Sequence, residues 1–133
     1  MLCVRRAFLT VLITAFLSGV SSAAELSKEP LSKVKENVEK EKAVLVDVRE
    51  KKEWDDGHIE GAIFLPLSAV QDGLTKDELK KLPKDKVLYV HCVVGKRAVT
   101  AGNVFEKHGY KVKPIKPGYK EMVAAGFPKA KAE

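Results

Sequence analysis

Cys92 heads the run His91-Cys92-Val93-Val94-Gly95-Lys96-Arg97-Ala98, which follows an apolar strand-like stretch, Val87-Leu88-Tyr89-Val90, and opens a helix-like one running to His108. A strand, a tight loop and a helix N-terminus gather backbone N–H groups and the positive end of a helix around one sulfur. Such surroundings favour a thiolate over a thiol, and the thiolate is the form that attacks. The backbone N–H groups from Val93 to Ala98 are therefore the candidate anion cradle. Arg97 has two roles open to it: pairing with an anionic substrate, or bracing the loop from its rim by hydrogen bonds. Lys96 points outward in a short loop, where its charge draws anions toward the mouth of the site; an ordinary solvated lysine is the plainer alternative. Gly95 permits a positive φ or a close ligand approach.

Asp47 and Arg49 form a second tier of candidates, at the end of another strand-like run, Ala43 to Val48. They can touch the loop, or form a structural ion pair of their own. His58, between Gly57 and Ile59, reads as a hydrogen-bonded structural histidine, His108 as helix-end polarity, and Trp54 as an apolar anchor. Strand alternation turns His91 away from Cys92, so it reads as packing. No histidine has a partner at metal-ligand spacing, and no organic cofactor is called for.

The elements that must position these groups alternate along the chain. Leu31 to Lys40 carries Leu31, Val34 and Val38 at helical spacing, whereas Ala43 to Val48 is a β-branched run without polar alternation, as in a strand covered on both faces. Glu50 to Asp56 forms a helical turn stopped by Gly57, Ala62 to Leu65 a short strand, and Ser68 to Leu74 and Lys76 to Leu82 short helices, the second capped by Thr75. Val87 to His91 is the next strand, Arg97 to His108 the next helix, Val112 to Ile115 the last strand and Tyr119 to Ala125 the last helix. Strands separated by helices pair in parallel through right-handed crossovers, so the expected fold class is α/β, with a central parallel sheet of four or five strands flanked by helices. Sites in such sheets form beyond the carboxyl ends of the strands, where Cys92 sits.

The chain has two cysteines, and the other is Cys3. Met1 to Arg6 is basic, Ala7 to Val20 almost wholly apolar, and Ser21-Ser22-Ala23-Ala24 supplies small residues before Glu25, the pattern of a secretory signal peptide. The apolar run of about 14 residues is short of the roughly 18 to 20 that a spanning helix needs. Cleavage after Ala24 is expected, giving a periplasmic or secreted protein without stable membrane association. Arg5-Arg6 lacks the flanks of a twin-arginine signal, and Cys3 precedes the apolar run instead of closing it, against lipidation. The expected organisation is residues 1–24 signal peptide, 25–42 a lead-in helix, 43–128 a single catalytic domain and 129–133 a disordered tail. A formal charge of +6 raises the question of nucleic acid. The lysines are scattered among acids, and no zinc spacing, phosphate loop or aromatic-basic stripe is present, so nucleic-acid binding is set aside.

Several segments together resemble the rhodanese sulfurtransferases, over Ala43 to Pro128. Leu45-Val46-Asp47-Val48-Arg49-Glu50 resembles the family's LVDVRE strand. Glu53-Trp54, Gly57-His58-Ile59 and Gly61-Ala62 resemble its E(Y/W)xxGHIxGA block, with Leu65-Pro66 at its end. Cys92 to Arg97 resembles the CxxGxR active loop, and Lys116 to Pro128 is similar to the closing GGxxxWxxAGxP segment. Pro117 stands for the first glycine of that segment, Met122 for its tryptophan, and Ala98 for the serine frequent after the loop arginine. The resemblance implies that Cys92 attacks the outer sulfur of thiosulfate or a similar donor, releases sulfite and becomes a persulfide, which a thiol, cyanide or a protein sulfur acceptor then discharges. Two alternatives use the same residues. One is a persulfide relay or a non-catalytic partner-binding module. The other is a cysteine-dependent phosphatase, whose loop has five residues between cysteine and arginine where Val93 to Lys96 make four; the smaller ring of N–H groups suits a sulfane sulfur better than a phosphoryl group, and no general-acid aspartate loop is evident.

Overall fold

The computed structural model describes residues 23–131. Of the expected signal peptide, residues 1–24, the first 22 with Cys3 lie outside the described residues, as do residues 132–133. An extended segment leads into α1 (Leu31–Glu39), followed by β1 (Ala43–Asp47), α2 (Lys51–Asp56), β2 (Ile63–Phe64), α3 (Leu67–Asp72), α4 (Lys76–Lys80), β3 (Val87–His91), α5 (Lys96–Lys107), β4 (Lys111–Pro114) and α6 (Tyr119–Ala124). The four strands form one parallel sheet in the order β2-β1-β3-β4.

The two central strands are those with the longest β-branched and apolar runs, and they are buried almost throughout because helices cover both faces. On one face Val46, Val48, Leu88, Val90 and Cys92 pack with Ala98, Ala101 and Phe105 of α5, Val70 of α3 and Leu82. On the other, Ala43, Leu45 and Tyr89 pack with Val34 of α1 and Met122 of α6. Residues two apart along β1 and β3 therefore serve opposite cores, the period-two consequence of a pleated strand. Val34 is fully buried, so α1, expected as a lead-in, belongs to the same packed unit.

The segment before α1 is held as well. Ala24 is buried and its N–H donates to Asn103 Oδ1 at 2.7 Å, where Gly102 leaves room. Ser27 N–H donates to Pro114 O at 2.7 Å, extending the β4 edge. Glu29 accepts from Tyr89 Oη and Lys113 Nζ, each at 2.5 Å.

The tail differs from expectation at its start. Lys129 bridges Ile59 in antiparallel fashion, and Ala130 N–H donates to His58 O at 2.9 Å. Composition suggested a free end, but two backbone hydrogen bonds to the turn after α2 fix it: Glu60 N–H also donates to Pro128 O at 2.9 Å.

Candidate active site

The chain leaves β1 toward β2 on one side of the sheet and leaves β3 toward β4 on the other, so a crevice opens at the carboxyl ends of the two central strands. Asp47 and His91, the last residues of β1 and β3, are directly in register there. One residue later comes Cys92, followed by the loop Val93-Val94-Gly95 and the first turn of α5.

Cys92 is 1% exposed, at the floor of this loop. Gly95 N–H donates to its Sγ at 3.1 Å, and Gly95 takes φ +97°, the left-handed conformation that turns the chain back over the sulfur and into the helix. Ala98, in the first turn of α5, is buried in the same core as Cys92, leaving no room there for polar chemistry of its own. Val93 and Val94 are exposed on the outer rim, as is Lys96.

Arg97 turns from the loop to α2. Its Nη1 donates to Glu53 Oε2 at 2.7 Å and its Nη2 to Glu53 Oε1 at 2.9 Å, a two-pronged pairing that suits the planar guanidinium. Glu50 N–H also donates to Glu53 Oε2, at 2.9 Å. Held chiefly by Arg97, the Glu53 carboxyl is lowered to about 2. Reciprocally, Arg97 is pushed upward first by Glu53, with a smaller contribution from Cys92. Of the two roles open to Arg97 from sequence, the geometry displays the brace: it joins the loop after β3 to the helix after β1.

Asp47 and Arg49 pair with each other. Arg49 Nε lies 3.0 Å from both Asp47 oxygens, and its Nη2 donates to Asp47 Oδ2 at 2.7 Å and to Gly57 O at 2.8 Å. The guanidinium also sits 5.3 Å from the centre of the Tyr119 ring. This buried pair stitches the loop after β1 to α6, on the opposite face of the sheet from Sγ. His91 lies beside it, fully buried, with Nε2 3.8 Å from Asp47 Oδ2 and neither ring nitrogen hydrogen-bonded. Burial lowers the His91 imidazole from its ordinary value, partly opposed by Asp47, so the ring is neutral at pH 7. Strand alternation does turn it from Cys92. His58 stacks on Trp54 with ring centres 3.5 Å apart, and its Nδ1 lies 3.0 Å from Trp54 O.

Two residues that frame the site stand in the resembling segments, but sequence reasoning assigned neither a role at the site. Glu53 is 44 positions from Arg97, and no spacing argument links them. Gly118, after β4, backs directly onto the active loop: a Cβ there would lie 2.8 Å from Val93 O and 2.9 Å from Cys92 O. The retained glycine of the closing segment is thus a close-approach residue.

A family model described as Rhodanese-like domain matches residues 31–125. The probable adenylyltransferase/sulfurtransferase MoeZ of Mycobacterium tuberculosis is 38% identical over 69 residues, 52% of this chain and 17% of that protein. The thiosulfate:glutathione sulfurtransferase of Saccharomyces cerevisiae is 36% identical over 83 residues, 56% of this chain and 60% of that protein. The matches thus span less than two thirds of the length of these curated relatives. Among solved structures, a rhodanese-related protein from Thermoplasma volcanium superposes with a TM-score of 0.62 at 25% identity, covering 77% of this chain and 95% of the other. With the parallel sheet, the loop over Cys92 and the matched segment taken together, the chain belongs to the rhodanese-like domain family.

Proposed function

We propose that the protein is a sulfurtransferase that moves a sulfane sulfur from thiosulfate, or a donor like it, to a thiophilic acceptor through a persulfide on Cys92. The observation that carries this reading is the N–H of Gly95 aimed at Sγ from a left-handed turn at the start of α5. The same donor that steadies a thiolate also steadies the sulfur anion of a persulfide. In the first half-reaction the Cys92 thiolate attacks the outer sulfur of thiosulfate; a new S–S bond forms, the old one breaks, and sulfite leaves with the electron pair. In the second, a thiol or cyanide attacks that outer sulfur and the pair returns to Sγ. Because Cys92 is 1% exposed, its loop must open for the donor's outer sulfur to reach Sγ. The sulfurtransferase names among the relatives support the class of reaction.

Asp47 and Arg49 serve this reading as positioning groups, and the basic-apolar-small pattern of residues 1–24 supports export to a periplasmic or extracellular space. Intact-mass measurement of the reduced protein after mixing with thiosulfate tests the central step. A gain of one sulfur on wild type and none on Cys92→Ser is the expected result; an equal gain on both proteins, or none on either, overturns it.

A further inference from the structure

Leu26, Val93 and Val94 are the large apolar side chains that stand exposed among the described residues, at 39%, 49% and 59%. They lie together. Val93 and Val94 line, with Lys116, Pro117 and Glu121, an open cavity of about 270 Å³ beside the Cys92 loop. Leu26 continues the same rim, since a Cβ on Gly95 would meet a Leu26 methyl at 2.8 Å and Lys116 Cα at 3.3 Å. Two separate parts of the chain thus bring their exposed apolar groups to one place, beside the half-buried Pro117 of a third. Single exposed apolar residues are ordinary, whereas a cluster rimmed by charge marks an interaction site.

The charge at that rim is positive. Lys96 and Lys116 are exposed, and among the described residues neither makes an ion pair. Glu121 turns its carboxylate back to Gly118 N–H at 3.1 Å, and Arg97 is matched by Glu53. Thiosulfate and cyanide are small anions with little apolar surface to bury, so apolar side chains at the mouth give them nothing. A second copy of this chain is a poor occupant, because like copies repel: the formal charge is +6 for the full chain and about +4 without residues 1–24.

We propose that the sulfur acceptor is a cysteine of another protein, carried on a segment with apolar residues beside the thiol and acidic residues outside them. This rests on the sulfur-transfer reading of Cys92. The acceptor thiolate attacks the outer sulfur of the persulfide; its bond to that sulfur forms as the bond to Cys92 Sγ breaks, and the electron pair stays on Sγ. The partner leaves as a persulfide, Cys92 as a thiolate, and no oxidant or reductant is consumed. Leu26, Val93, Val94 and Pro117 cover the apolar residues, while Lys96 and Lys116 face the acids.

The test uses protein loaded with sulfur from thiosulfate, with loading read by intact mass, and two synthetic cysteine peptides. Both have leucine and valine beside the cysteine; one has glutamates outside them, the other lysines. The glutamate peptide is expected to take the sulfur about ten-fold faster at low salt, a difference set by two like or unlike charges at the rim. Leu26→Ser is expected to slow that transfer about five-fold while leaving loading and turnover with cyanide unchanged, as partial exposure of one leucine contact requires. Lys116→Glu is expected to narrow or reverse the preference. Loading followed by equal transfer to both peptides overturns the docking surface alone. So does a Leu26→Ser protein slowed equally with cyanide, or a wild-type dimer in sedimentation that Leu26→Ser dissociates. Absence of loading overturns the sulfur-transfer reading beneath it.

Discussion

At the scale of single residues, the site is arranged so that one cation is already spoken for. Arg97 gives both terminal guanidinium nitrogens to Glu53, so its first effect is to hold the loop in place. Glu53 is depressed to about 2 from an ordinary 4.5, so its stabilisation is complete above pH 4.5 and is lost as pH falls through about 2. Glu53→Gln should remove that part of the acid-unfolding profile. With the Glu53 side chain 35% exposed, solvent screening holds the loss at neutral pH to about 1 kcal/mol, read by denaturant titration. Thiosulfate turnover should fall further than stability, because the loop loses its tie to α2. His91 works in a different pH range. Its lowered value means that the unfolded chain takes up the proton first, so stability is full above about pH 6.5 and declines as pH drops below it, with Asp47 tempering and Arg49 adding to the effect. A Tm series from pH 7.5 to 5 should be flatter for His91→Gln than for wild type.

At the scale of elements, three loops at the carboxyl ends of β1, β3 and β4 are fastened to one another by contacts of different kinds: the Arg97–Glu53 ion pair, the Arg49 guanidinium against the Tyr119 ring and a backbone approach at Gly118. Gly118→Ala should be the most damaging small change, since its Cβ would lie under 3.0 Å from two carbonyl oxygens that cannot swing aside. A Tm loss corresponding to about 1–3 kcal/mol is expected, with a lower rate of sulfur loading. The strands and helices themselves were legible in the sequence to within a residue or two. Val87 to His91 was placed as a strand at its observed ends, and β-branched runs with glycine stops located the others. Cys92 and its loop were legible too, because strand, loop and helix follow one another without a gap. The contacts that Glu53, Gly118 and Leu26 make with that loop were not. Each acts on a residue far away in sequence, and only the crossover topology brings them together. The tail was misjudged for the same reason, since its partner Ile59 lies 70 positions earlier and two hydrogen bonds there outweigh a lysine-rich composition.

For the molecule as a whole, the positive formal charge, +6 for the full chain and about +4 without residues 1–24, gives the proposed anionic donor a favourable field before any contact is made. Lys96→Ala should therefore raise the apparent KM for thiosulfate several-fold at low ionic strength and much less near 0.5 M salt, where the Debye length is only a few ångströms. Equal effects at both salt levels would assign Lys96 a direct contact instead. A second consequence concerns the order of events in the life of the chain. Ala24 is packed against Gly102 and tied to Asn103, so the peptide bond that follows it becomes part of the folded body. A peptidase that severs the chain there must reach an unfolded strand, whereas one that cuts a residue earlier leaves Ala24 in place with a new ammonium group facing Asn103. On the export reading proposed above, sorting and folding are then in a race, and the N-terminal residue of the processed protein would record which finished first.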